Sequence, residues 1–261
     1  MTEKVQKDDN QAPCTKATPT VIIEGEAADK ELMEARSPLR KGQKLHVLIG
    51  DIGGTNCRLE LVDLHAEKVV KYIKYVTNDY PSLVEPMSDF LEEFKGTDKW
   101  PKFGCLCCAG PVDNNTILSM ANSRWNGFSG HAVGKAVGVK YIKLLNDFES
   151  VGYAMIGMPS EKLIQLNPDR SEYNAEPGVV IVGPGTGLGV VRINDFTWEG
   201  DRKFKVVPME GGHVPFGARN QAEYDLHKHI KSKIGNTDEQ YLQTEMLCCG
   251  SAIPLIYDFL K

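Results

Sequence analysis

Four short stretches combine residue types and spacings that suit chemistry on phosphates and hydroxyls. Gly50-Asp-Ile-Gly-Gly-Thr-Asn56 lies between two apolar runs. Glycines there permit positive φ and let backbone N–H groups approach a ligand, and a nest of such groups suits phosphate oxygens. The same residues equally suit a tight hairpin with an Asx turn. Asp51 could hold Mg2+ through water, since Mg2+ keeps several waters at nucleotide sites. No Gly-Lys-Ser/Thr follows, so this is not a P-loop, nor is it a GxGxxG turn. Gly183-Pro-Gly-Thr-Gly-Leu-Gly189 is a second turn able to wrap an anion.

Leu144-Leu-Asn-Asp-Phe148 places Asp147 at the end of an apolar run. There a carboxylate meets the crevice where α/β folds bind ligands. It could take a hydroxyl proton while Asn146 bonds a neighbouring hydroxyl; a cap on the next helix is the plainer reading. Glu210-Gly-Gly-His213 brings a carboxylate and an imidazole into one turn, which suits vicinal sugar hydroxyls or is a loop with an incidental His. Glu245 alone reads as a solvated helix face. His227 and His229, two apart, do not share a helix face and read as structural or solvated. Trp125 reads as packing.

These residues need a scaffold, and the apolar pattern supplies one. Leu45–Ile49, Cys57–Leu64 and Val69–Val76 predict three consecutive antiparallel strands. Helical spacing follows over Pro81–Phe94, then a strand at Phe103–Ala109, a strand at Asn114–Met120 after an Asp-Asn-Asn turn, a helix at Ser129–Val137, a strand at Tyr141–Leu145 and a helix at Phe148–Ile156. A second block repeats the theme, with strands at Gly178–Val182, Val190–Ile193 and Phe204–Pro208. Helices are expected at Gln221–Lys233, Thr237–Cys249 and Ala252–Leu260. Strands mixed with helices indicate an α/β protein. Residues 1–44 lack sustained periodicity and read as a mobile extension, 45–157 as a small α/β domain and 158–261 as a larger one.

With 30 basic and 35 acidic residues, the net charge of −5 does not favour nucleic acid or anionic lipid. No apolar run is long enough for a membrane helix. The seven cysteines include two adjacent pairs, Cys107-Cys108 and Cys248-Cys249, which does not suit a secreted disulfide framework. Reduced thiols and an N-terminus without an apolar stretch point to the cytosol and leave a peroxisome-like organelle open.

Together, Gly50–Asn56, Met120-Ala-Asn-Ser-Arg-Trp125, Leu145-Asn-Asp-Phe148, Gly185-Thr-Gly-Leu-Gly189, Glu210-Gly-Gly-His-Val214 with Phe216, and Glu245 before Cys249-Gly-Ser resemble the bacterial-type glucokinases. These belong to the hexokinase, actin and Hsp70-like superfamily. The resemblance runs from about Leu45 to the C-terminus. It implies an α/β fold of two RNase H-like (actin-like ATPase) half-domains around a central cleft, the second incomplete. It also implies ATP-dependent phosphorylation of glucose at the 6-hydroxyl, with Asp147 as base and sugar contacts by Asn122, Asn146, Glu210, His213 and Glu245. By the same resemblance, ATP phosphates would meet Gly50, Asp51, Ile52, Gly53, Gly54 and Thr55, and also Gly185, Thr186 and Gly187, with Mg2+ near Asp51. Glucose is the implied partner and a homodimer is open; no nucleic acid or membrane is expected. A kinase for another hexose and a non-catalytic sugar-binding fragment are the alternatives. No CxCG follows His213, which disfavours the zinc-containing sugar kinases. Pro184 departs from the family's second loop. Family members also extend past the equivalent of Lys261, so part of the second half-domain is expected to be missing.

Overall fold

The computed structural model describes residues 44–120, 123–125, 127–167, 178–198, 201–235 and 241–261. The expected extension lies outside these residues, Lys44 excepted.

Alternation builds the first sheet. Strand β1 (His46–Ile52) turns His46, Leu48, Gly50 and Ile52 inward, and β2 (Asn56–Asp63) turns in Cys57, Leu59 and Leu61. Strand β3 (Lys68–Val76) completes an antiparallel meander. On the other side of β1 lie β4 (Phe103–Cys108) and, outside it, β7 (Tyr141–Asn146), both parallel to β1, giving the order β3-β2-β1-β4-β7. Helices α1 (Val84–Leu91) and α2 (Gly130–Val137) contribute Met87, Phe90, Leu91 and Val133 to the main core with Leu48, Leu59, Leu106 and Ile142. Ser129 caps α2, its hydroxyl accepting from the Ala132 N–H at 3.1 Å. Trp125 is buried and donates its indole N–H to the Tyr80 carbonyl at 2.9 Å, so it is a packing residue.

One expected strand is shorter than its pattern. Instead of Asn114–Met120, only β6 (Thr116–Ile117) pairs, with β5 (Val112–Asp113). Asn114 and Asn115 form the turn between them at φ 44° and 57°, a conformation asparagine tolerates. The Asn115 amide then serves the edge of β7, donating to the Ile142 carbonyl at 2.8 Å and accepting from the Leu144 N–H at 2.7 Å.

The chain leaves β7 directly into α3 (Asp147–Ile156). The second sheet is an antiparallel meander of β8 (Val179–Pro184), β9 (Leu188–Trp198) and β10 (Asp201–Met209), in the order β10-β9-β8. It repeats the β3-β2-β1 arrangement. Among the described residues no strand pairs with the outer edge of β8, and Val180 and Val182 are 57% and 55% exposed. Helices α4 (Gln221–Lys233), α5 (Glu245–Cys248) and α6 (Ile253–Leu260) follow. The helix expected over Thr237–Cys249 is only α5. Residues 236–240 lie outside the described set, and Leu242–Thr244 are tied by backbone hydrogen bonds to Val214 and Phe216, with Gln243 opposite Pro215. His229 stacks on Phe259 and faces Asp258, so it has a structural part in joining α4 to α6.

Helix α3 grows out of the first sheet and packs on the second. Phe148, Tyr153, Met155 and Ile156 surround the second core of Val191, Ile193 and Val206. Gly152 permits this approach, because a Cβ there would lie 2.5 Å from Val206 Cγ1. The Phe148 ring rests on the paired glycines Gly183 and Gly189, where added Cβ atoms would lie 2.5 and 2.3 Å from ring carbons. Gly189→Ala should therefore cost about 1–3 kcal/mol in urea denaturation. The same change in a Phe148→Leu background should cost clearly less; strictly additive losses would refute the contact.

Candidate active site

The register of the parallel strands assembles the first cluster. Asp51, Cys107 and Leu145 stand side by side on β1, β4 and β7, followed by Ile52, Cys108 and Asn146. Asp147 comes next, at the C-terminal edge of the sheet where open α/β folds place ligands. Asn146 is the cap of α3: its Oδ1 accepts from the Phe148 and Glu149 N–H groups at 2.9 and 3.2 Å, and its Nδ2 donates to the Gly110 carbonyl at 3.1 Å. The capping reading therefore holds for Asn146, and its side chain also hydrogen-bonds the Asp147 carboxyl, favouring the charged form. The Asp147 carboxylate accepts from the Phe148 N–H at 2.8 Å. Partial loss of solvent around that carboxyl raises its pKa, the charge of Asp51 adds to the rise, and the Phe148 N–H pulls the other way.

Asp51 is exposed and forms an ion pair with Arg58, directly opposite it in the β1–β2 hairpin. Arg58 belongs to no expected site; its only sequence signal is that cross-strand position. An exposed carboxylate close to Asp147 fits Mg2+ held through water. Among the described residues no group of three or more His, Cys, Asp or Glu side chains forms a direct cage for a metal.

The turn after β1 is tied from behind. The Gly53 N–H donates to the Asn56 carbonyl at 2.9 Å, while Thr77, fully buried, gives its hydroxyl to the Gly53 carbonyl at 2.8 Å and its N–H to the Thr55 carbonyl at 3.0 Å. The expected positive φ is absent: neither Gly53 nor Gly54 adopts it. Gly50 is needed for space, since its Cβ would lie 2.6 Å from Leu106 Cδ2.

The second cluster surrounds the other Gly-rich turn. Glu245, at the start of α5, accepts the Leu188 N–H at 3.1 Å. This corrects the reading of Glu245 as a solvated face, because its side chain is only 24% exposed. Gly187 and Gly212 make the room: Cβ atoms there would lie 2.7 and 3.1 Å from Glu245 Oε2. The turn itself is closed by the Gly185 N–H on the Gly187 carbonyl at 2.8 Å, and the Gly250 N–H donates to the Gly185 carbonyl at 2.9 Å. Across this cluster His213 Nδ1 lies 3.6 Å from Glu245 Oε1, and Nε2 lies 3.4 Å from Glu210 Oε2. A hydrogen bond to Gln243 raises the His213 pKa most, and both carboxylates add to the rise.

The structure thus joins Asp51, Asn146 and Asp147 in one group, and Glu210, His213, Glu245 and Gly185–Gly187 in another. Phe148 on Gly183 and Gly189 connects the two. Asn122 lies outside the described residues. Cys57 and Cys108 are fully buried. Cys107 is only partly buried, and hydrogen bonding by Cys105, with help from Ser150, lowers its thiol pKa to about 7.

Known glucokinases are similar to this chain. The glucokinase family model matches residues 48–261. A glucokinase of Nostoc sp. is 33% identical over 218 residues, covering 82% of this chain and 60% of the relative. One from Escherichia coli is 32% identical over 199 residues, covering 75% and 57%. The chain therefore spans about 60% of the length of the curated relatives it matches. Among solved structures, the glucokinase of an Antarctic psychrotroph superposes with TM-score 0.63 at 23% identity, over 84% of this chain and 65% of that one. The glucokinase of Balamuthia mandrillaris, solved in complex with glucose, gives 0.62 at 20%, over 85% and 64%. At that identity the structures establish a shared fold, and the family match over most of the sequence establishes the kinship: this chain belongs to the glucokinase family.

Proposed function

We propose that this chain serves the ATP-dependent phosphorylation of glucose at its 6-hydroxyl, with Asp147 as general base. The observation that carries the reading is the Asp147 carboxylate at the strand ends, with its pKa raised and its neighbour Phe148 seated on the second Gly-rich hairpin. The C6 oxygen attacks the γ-phosphorus, the bond from that phosphorus to the β–γ bridging oxygen breaks, ADP leaves, and the hydroxyl proton passes to Asp147. A base works best with a pKa near the working pH, and crowding moves Asp147 in that direction.

Glu210, His213, Glu245 and Asn146 would take the remaining sugar hydroxyls. The backbone N–H groups of Gly54 and Thr55, and the Gly185–Gly187 turn, would face the phosphates. Mg2+, held through water by Asp51, would neutralise charge on the phosphoryl oxygens. Orientation of the hydroxyl against phosphorus supplies most of the acceleration in such transfers.

Asp147→Ala should lower turnover by about 10²–10⁴-fold in a coupled ADP-release assay, with calorimetric glucose affinity changed by less than about threefold. Unchanged turnover would reject the assignment. Glu210→Ala should instead weaken glucose binding by about fivefold or more.

A second test needs no substrate. Because the folded-state pKa of Asp147 is raised, its ionised form destabilises the fold above that pKa, and the cost disappears once the group is protonated in both folded and unfolded chains. Asp147→Asn, which keeps the Phe148 N–H acceptor, should thus raise the melting temperature at pH 7 and leave it nearly unchanged at pH 3. A gain of equal size at both pH values would contradict the raised pKa.

A further inference from the structure

The ring of His213 has one close partner that no motif includes. Gln243 Oε1 lies 2.9 Å from His213 Nδ1. The carboxylates are farther, with Glu245 Oε1 at 3.6 Å from Nδ1 and Glu210 Oε2 at 3.4 Å from Nε2. A neutral imidazole carries its proton on one nitrogen, chosen by the partner that nitrogen meets. An amide oxygen can only accept, so Gln243 fixes the proton on Nδ1 and leaves Nε2 for the side where Glu210 lies.

The backbones bearing this pair are fixed as well. The Phe216 N–H donates to the Leu242 carbonyl at 2.8 Å and the Thr244 N–H to the Val214 carbonyl at 2.9 Å, with the Thr244 hydroxyl on the same carbonyl at 3.0 Å. Leu242 is fully buried beneath this short ladder, whereas Gln243 is half-buried. The ladder places Gln243 opposite Pro215, two residues from His213.

We infer that Gln243 is a positioning residue for the sugar site: its side-chain carbonyl holds His213 in the Nδ1–H form, so that Nε2, on the side of Glu210, is an acceptor for a sugar hydroxyl. This rests on the phosphotransferase reading for the identity of the ligand, while the state of the ring does not. Glu245 also holds the Leu188 N–H, so the Gln243–His213 pair borders a side chain that is already tied to the second Gly-rich hairpin.

The test is a long-range 1H–15N imidazole spectrum of the full chain, with the His213 signals assigned by their loss in His213→Asn. The unmodified chain should show the Nδ1–H form at high pH. Gln243→Leu removes the acceptor and leaves Glu210 to favour Nε2–H, so the tautomer should change and the His213 pKa should fall. Gln243→Glu keeps an acceptor at the same place and should retain Nδ1–H with a higher pKa. In calorimetry the Leu variant should bind glucose about three- to tenfold more weakly, with affinity restored towards the original by Glu. An unchanged tautomer in Gln243→Leu overturns the proposal. A changed tautomer with unchanged glucose affinity overturns its sugar-positioning part. If the unmodified chain binds no glucose, the phosphotransferase reading fails, and the sugar part of this proposal with it; the spectrum still decides the ring state separately.

Discussion

The seat of Phe148 on Gly183 and Gly189 is the contact from which the rest of the site follows. An aromatic ring can lie flat on a hairpin only where the paired positions lack Cβ atoms, and methyl groups at either glycine would overlap it. The ring belongs to the residue after Asp147, so one contact sets both the start of α3 and the carboxylate beside it. Gly152, one turn on, allows the same helix to approach Val191 and Val206. A helix that begins as the continuation of one sheet thereby becomes part of the core of the other. Close packing makes such a joint intolerant of small volume changes, which suits a site whose parts come from two sheets.

Around that joint the polar groups are few and mutually dependent. Asn146 spends its carbonyl oxygen on two N–H groups of α3, and Asp147 accepts a third contact from the same turn. On the other side, Glu245 takes the Leu188 N–H and stands near His213, whose second nitrogen faces Glu210. Thr77 performs the corresponding service behind the first turn, occupying its carbonyls from the buried side. Backbone donors at both Gly-rich turns are thus presented by structure rather than by flexibility.

Much of this was legible beforehand. The period-two alternation of β1 and β2, the helical spacing of α4 and the strand–Asn-Asp–helix junction are local, and each appears close to where it was expected. The capping of α3 by Asn146 is equally local, since Asn directly precedes the helix. Errors arose where a distant segment intervened. The strand after the Asp113-Asn114-Asn115 turn pairs over only two residues, while the Asn115 amide is bonded to the edge of β7. Leu242–Thr244 stay outside the helix because Val214 and Phe216 pair with them. Glu245 looked solvated because nothing nearby in sequence covers it; Gly187 and Leu188, far upstream, do.

The sequence by itself determined the kind of fold and the order of the motifs that propose a site, since alternation, capping and motif order are written in neighbouring residues. It marks the glycines of the first turn as required, but of the two reasons for them the positive φ is absent. Tertiary structure decided what those glycines are for: at Gly183 and Gly189 they admit an aromatic ring, at Gly187 and Gly212 a carboxylate. It also decided that Arg58 faces Asp51 and that Gln243 faces His213. Side-chain pairs of this kind depend on strand register and on loops meeting across the fold, and no local periodicity encodes which side chain a given donor will meet.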